Sequence, residues 1–193
     1  MNVPTSPYSR WETSRTILRR YAPTDEREFL TLWGDPIVQR WSFVEDLSPT
    51  RTEQFLKKTI ELTAKGSIFF LVVEDKERHE FLGHISLNFK PPPERDAAVG
   101  IALKARYRGR GFGTELMHWL ITYGFHELGL RRISLTVLED NIPAVRMYKK
   151  IGFIDEGRRR EGGRSNGQPR IFICMGIVRE EWDIQRGRKR VFP

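Results

Sequence analysis

Residues 107–117 read YRGRGFGTELM, three glycines set among arginines and followed at once by helix formers. Glycine gives up the most backbone entropy on ordering, and close arginines repel, so an offsetting partner is required; an anion supplies it. The first turn of a helix carries unpaired N–H groups and a positive dipole end. Glycines let a bulky polyanion approach that backbone, and Arg108 and Arg110 add full charges beside it. Arg108, Gly109, Arg110, Gly111, Phe112, Gly113 and Thr114 therefore read as a phosphate cradle. The same turn also suits an ordinary strand–helix connection whose glycines serve packing. No Gly-Lys-Ser/Thr follows, which excludes a Walker loop, and a turn after four strands is no dinucleotide fingerprint. A second chemical group lies downstream. Tyr148, a phenol, stands seven residues after Asn141, on the same helix face and roughly 10 Å along it. On its own a helix tyrosine is as readily a half-buried core residue.

The elements that must hold these residues follow from pattern. Thr16–Tyr21 reads as a first strand, with Thr24 as cap of a helix over DEREFLTLW. A second helix runs from Ser48-Pro49-Thr50 to about Ala64, with Phe55, Ile60 and Leu62 among its apolar positions and Gly66 at its end. Ser67–Glu74 (SIFFLVVE) and Phe81–Phe89 are neighbouring strands across a charged turn. Pro91–Pro93 mark a loop, and Ala97–Leu103 suits a central strand. A helix from Gly113 to about Leu128 carries Leu116/Leu120 and Met117/Ile121 at i,i+4 spacing. Ile133, Leu135 and Val137 alternate as a strand. Asn141 caps a short helix with Pro143 in its first turn and Gly152 at its end. Arg170–Val178 closes the series. The order β-α-α-β-β-β-α-β-α-β predicts a mixed α/β sheet with helices on both faces.

Composition bounds the class. The chain has 193 residues, 39% hydrophobic and 30% charged, in the range of a soluble globular domain. No apolar run approaches the ~20 residues of a membrane-spanning helix. The first fifteen residues lack a secretory stretch, so a cytoplasmic location and no membrane partner are expected. Cys174 is the single cysteine, which forbids an internal disulfide. A net charge of +8 suits acidic partners, and residues 156–193 hold ten Lys/Arg against five Asp/Glu. No metal site is expected.

Arg108-Gly109-Arg110-Gly111-Phe112-Gly113 resembles the Arg/Gln-x-x-Gly-x-Gly/Ala loop of the GCN-five-related N-acetyltransferases (GNAT). Asn141-Ile-Pro-Ala144-Val-Arg-Met-Tyr148-Lys-Lys-Ile-Gly152-Phe153 is similar to that family's Asn-x-x-Ala-x-x-x-Tyr-x-x-x-Gly-Phe helix. TSRTILRRY and ICMGIVREEW resemble the branch containing ribosomal-protein alanine acetyltransferases. The resemblance implies a mostly antiparallel twisted sheet with splayed central strands, spanning residues 14–185 between an arm (1–13) and a basic tail (186–193). It implies acetyl-CoA as cofactor, held by residues 108–114, by the strand around Ile101, Ala102 and Leu103, and by Asn141 and Tyr148. A backbone N–H near Ile101 or Leu103 would polarise the thioester, and Tyr148 would act as general acid toward the departing sulfur.

The general base departs from the family pattern. The two positions where relatives carry a glutamate are Ala98 and Thr136, and neither takes a proton. Asp96, on the strand face of Ala98, is the candidate that remains; Thr136 ordering a water is the other route, and His84 reads as structural. Trp41 and Phe43 are candidate walls of an acceptor pocket. The arginine-rich run near residues 158–170 disfavours a polyamine and suits a peptide on a ribosome, or an anionic small molecule bearing an amine. The expected reaction is acetyl transfer to a primary amine, by a monomer or homodimer. The rival is a weakly catalytic module of the same fold that binds ribosome or nucleic acid, for which the basic tail and the missing carboxylates speak.

Overall fold

The computed structural model describes residues 9–42, 48–91, 95–160, 164–165 and 168–187. Its centre is set by β3 (Ile68–Asp75), whose first six residues are all buried. Period-two alternation divides them: Phe69, Leu71 and Val73 join one core, while Ile68, Phe70 and Val72 join another. A strand apolar on both faces needs a layer on each side, and the helices supply them. On one face lie α1 (Glu26–Gly34), α2 (Pro36–Arg40) and α3 (Pro49–Ala64). The other core takes its residues from α4 (Phe112–His126), α5 (Ile142–Ile151) and α6 (Arg179–Gln185).

Eight strands form one sheet in the order β1-β2-β3-β4-β5-β6-β10-β7, and β8 (Arg164–Ser165) pairs with β9 (Gln168–Pro169) apart from it. The remaining strands are β1 (Arg10–Glu12), β2 (Thr16–Arg19), β4 (Phe81–Phe89), β5 (Asp96–Leu103), β6 (Arg132–Leu138), β7 (Ile154–Arg159) and β10 (Phe172–Val178). Every pairing is antiparallel except β5 with β6. The mixed α/β architecture expected from the pattern is what the chain forms. Among the described residues no helix is long and apolar enough to cross a membrane.

Two expectations need correction, and the apolar positions of the helix over Pro49–Ala64 divide between core and surface. Thr24 does not cap the first helix. The buried Asp25 closes that turn instead, accepting from the Ala22 amide at 2.8 Å while its carboxylate takes both Nη atoms of Arg19 at 2.7 Å. In α3 the inward residues are Thr52, Leu56 and Thr59, whereas Phe55 and Ile60 are exposed. Residues 10–12 are not part of an arm: β1 pairs with β2, and Trp11 packs edge-on to Phe69 at 5.6 Å. The Pro91–Pro93 run lies partly outside the described residues.

Candidate functional site

The parallel pair at the middle of the sheet is short. β5 and β6 meet only at Asp96–Arg132, Ala97–Ile133 and Ala98–Ser134. Each then continues against its outer neighbour, β5 to Leu103 along β4 and β6 to Leu138 along β10. A wedge opens between them. Residues Ala98 to Ala102 of β5 are only half-buried, although the strand is central. Bonds from Lys104 N to Leu82 O and from Lys90 N to Asp96 O fix the parity of the β4–β5 ladder. Even-numbered residues of β5 bond to β4, so the backbone groups of Ile101 and Leu103 face the wedge. Ala102, opposite His84, turns its backbone the other way and drops out of the expected set. An extended amide-bearing ligand would pair with Ile101 as an added strand does.

The wedge leads to the glycine loop. Gly109 and Gly111 have φ of 70° and 86°, a conformation that needs glycine. Gly111 ends the turn and offers no side-chain cap, so the first amides of α4 at Phe112, Gly113 and Thr114 are left to donate outward. A Cβ on Gly109 would meet nothing within 4 Å. Gly113 serves packing instead: a Cβ there would stand 3.2 Å from Met147 Sδ of α5. Phe112 anchors the turn by burying its ring edge-on to Tyr107. Arg108 is tethered by Nε to Leu103 O at 3.0 Å, and burial lowers its pKa from the ordinary value. Arg110 is exposed. Open amides, a helix dipole and a half-buried guanidinium form a cradle whose chemistry fits a diphosphate.

Tyr148 enters from α5. Asn141 caps this helix through Oδ1, which accepts from Ala144 N at 3.4 Å, and Gly152 ends it at φ 117°. The inward face holds Val145, Tyr148 and Ile151. Tyr148 is 7% exposed and lies edge-on to Phe153 at 5.8 Å. Burial pushes its phenol up to about 12, so the hydroxyl stays protonated and able to donate.

Asp96, the expected base, is held in an ion-pair network. Its carboxylate accepts from Lys90 Nζ at 2.5 Å and Arg132 Nη1 at 2.7 Å. It sits at the closed end of the wedge, five residues before Ile101 and so roughly 16 Å along the strand. It ties β5 to β6. His84 is buried, accepts from Trp33 Nε1 at 3.1 Å, and is pushed by burial to about 3. It is a neutral core group. Thr136 and Cys174 face each other across β6–β10, half-buried. Gly100 leaves room for Ser86, whose Oγ would stand 2.5 Å from a Cβ there. The β4–β5–β6–β10 face is thus lined by Ser86, Asn88, Ser134, Thr136 and Cys174, none of them a carboxylate.

Three arginines stand at the open end of this face. Arg170 Nη2 donates to Arg40 O at 2.6 Å, the Arg40 guanidinium lies 4.8 Å from the centre of the Trp41 ring, and Arg159 covers Phe172 at 5.3 Å. Trp41 ends α2 half-buried. Phe43 lies outside the described residues. Sequence reasoning missed Arg15 and Glu115, which meet beside the cradle at 2.7 Å. Glu115 was visible as a first-turn acid on α4; its partner, 100 positions away, was not.

The model of the acetyltransferase (GNAT) domain matches residues 15–154. The SPbeta prophage-derived uncharacterized N-acetyltransferase YokL of Bacillus subtilis is 33% identical over 92% of this chain and 97% of its own length. Spermidine N-acetyltransferase from Vibrio cholerae, solved with CoA and spermine, superposes with a TM-score of 0.78 at 26% identity, covering 88% and 98% of the two chains. A ribosomal-protein-S5-alanine acetyltransferase from Vibrio fischeri shares the fold with a TM-score of 0.76 at 21% identity over 90% and 98%.

Proposed function

The chain belongs to the acetyltransferase (GNAT) domain family and is an acetyl-CoA-dependent N-acetyltransferase, and from that premise we propose that its acceptor is a neutral α-amine, on a peptide N-terminus or a small molecule of like kind. The observation that carries this reading is a lining beside the wedge of Ser, Asn, Thr and Cys side chains, with the one carboxylate expected there, Asp96, held by two cations at its closed end.

Bound acetyl-CoA supplies an activated acyl group. Arg108 and the amides of residues 109–114 would hold its diphosphate, with Arg110 beside them as an added charge. Ile101 and Leu103 would meet the pantetheine amides, and an N–H there would polarise the thioester carbonyl. Asn141 shapes the wide end of the wedge by starting α5. Tyr148 would donate a hydrogen bond to the departing sulfur. With its phenol near 12, well above the ~8.5 of an ordinary thiol, it stabilises negative charge without giving up its proton outright.

Proton handling then falls to the acceptor. An α-amine with a pKa of ~7.7–8.0 is about a third neutral at pH 7.5, whereas an alkylamine at ~10.4 is neutral to roughly one part in a thousand. On neutral fraction alone, a site without a dedicated base favours the first by about two orders of magnitude, part of which the greater nucleophilicity of the alkylamine offsets. The rim of Arg40, Arg159 and Arg170 adds a preference for acceptors carrying negative charge and disfavours polyamines. A peptide presented on a ribosome suits both features. Turnover measured with an α-amino dipeptide, a lysine side-chain analogue and spermidine tests this: the dipeptide should lead, and a spermidine preference would refute it.

A further inference from the structure

The β1–β2 turn reaches across to the cradle through one side chain. Ser14 Oγ and Arg15 N both donate to Glu115 Oε1 at 2.9 Å, and Arg15 Nε donates to Oε2 at 2.7 Å. Arg15 Nη1 donates to the Arg110 carbonyl at 2.9 Å. Its guanidinium carbon lies 4.3 Å from the centre of the Phe112 ring, and Nη2 would be 3.2 Å from a Cβ on Gly111. A residue 95 positions before Arg110 in the chain thus touches Arg110, Phe112 and Glu115 of the loop and first helical turn.

Two physical consequences follow. Carbonyl and N–H point in opposite directions across a trans peptide plane. With the Arg110 carbonyl turned to Arg15, the Gly111 N–H is turned away from it, toward the open side of the loop. Glu115 also places a full negative charge in the first turn of α4, where a diphosphate would bind. Burial alone would raise its pKa, but hydrogen bonds from Thr13, Arg15 and Ser14 hold it at about 2, so the charge persists at every working pH. Arg15 sits between that charge and the glycines.

We propose that Arg15 is a positioning residue for diphosphate binding: it aims the Gly111 amide and cancels the repulsion of Glu115. The inference rests on the cradle reading above. Arg15 is exposed in part, and its Nη2 stands against the loop, so the same group also adds positive potential where a phosphate oxygen would lie.

The test compares acetyl-CoA with S-acetylpantetheine, a donor that lacks the diphosphate. In Arg15→Ala, kcat/KM with acetyl-CoA should fall about tenfold, the equivalent of ~1.4 kcal/mol, through KM and with kcat nearly kept. With S-acetylpantetheine it should change by less than about twofold, since no diphosphate is there to be held. Arg15→Ala combined with Glu115→Gln should regain about threefold with acetyl-CoA, because the uncompensated charge is gone. Equal losses with both donors would mean a merely structural role and would overturn the proposal, as would no loss at all. Gly111→Asp separates this from the cradle itself. If it leaves the preference for acetyl-CoA intact, the cradle falls and the proposal with it; if it abolishes the preference while Arg15→Ala keeps it, the role of Arg15 alone is refuted.

Discussion

Under the proposed mechanism, turnover depends on the Tyr148 hydroxyl. Tyr148→Phe removes one hydroxyl from a buried ring and preserves its contact with Phe153. Acetyl-CoA affinity should survive, while kcat drops toward the low end of the ~10²–10⁴-fold range of proton-handling groups; a fully active Tyr148→Phe enzyme would remove this role. Asp96 predicts the reverse pattern. Asp96→Asn breaks an ion-pair network with Lys90 and Arg132, one partner of which is largely exposed, and should cost about 1–3 kcal/mol of stability. The pH–rate profile should keep its position, and a displaced alkaline limb would reinstate Asp96 as the base. The contrast explains what was legible. A tyrosine inside a spaced motif can be assigned a candidate role from its neighbours in sequence. An aspartate at a strand start could be read as a base candidate, but its ion pair with Arg132 depends on the register of β5 with β6, which the sequence does not show.

At the scale of elements, the wedge and the glycine turn do the positioning. Gly111→Asp adds a Cβ at φ 86° and a negative charge against the ligand, so acetyl-CoA affinity should fall more than tenfold, or at least ~1.4 kcal/mol, by calorimetry. Unchanged affinity with the fold intact would contradict the cradle. Strands such as Phe81–Phe89 and the caps Asn141 and Gly152 were readable because alternation and φ requirements are local. The inward face of α3 was not. Phe55 and Ile60 stand among its apolar positions, yet Leu56 with Thr52 and Thr59 faces the sheet, since two threonines complete the inward face and hydropathy passes over them. The splay itself left only an indirect trace, a central strand of small residues, Ala97 to Ala102. The short elements β1, α2, β7 and α6 carry too few residues for a period to emerge.

For the whole molecule, acid should act through named groups. Glu115, held at about 2, contributes stability that is complete above the ordinary carboxylate range and is lost as pH falls from ~4.5 toward 2. His84, buried and neutral with a pKa near 3, contributes stability that is complete above ~6.5 and is lost as pH falls further. Urea midpoints between pH 7 and pH 3 should therefore decline, with Glu115→Gln flattening only the lowest part; an unaltered slope there would contradict the Glu115 assignment. Catalysis falls with acid as well, but through the acceptor, because its amine must be neutral to attack. The measurement that bears most directly on the account is kcat/KM against pH with two α-amino dipeptides whose amines differ in pKa by about one unit. The account predicts that the rising limb moves with the amine, by about that unit, in the wild-type enzyme. A limb fixed at one pH for both acceptors would place a dedicated base on the protein and contradict it.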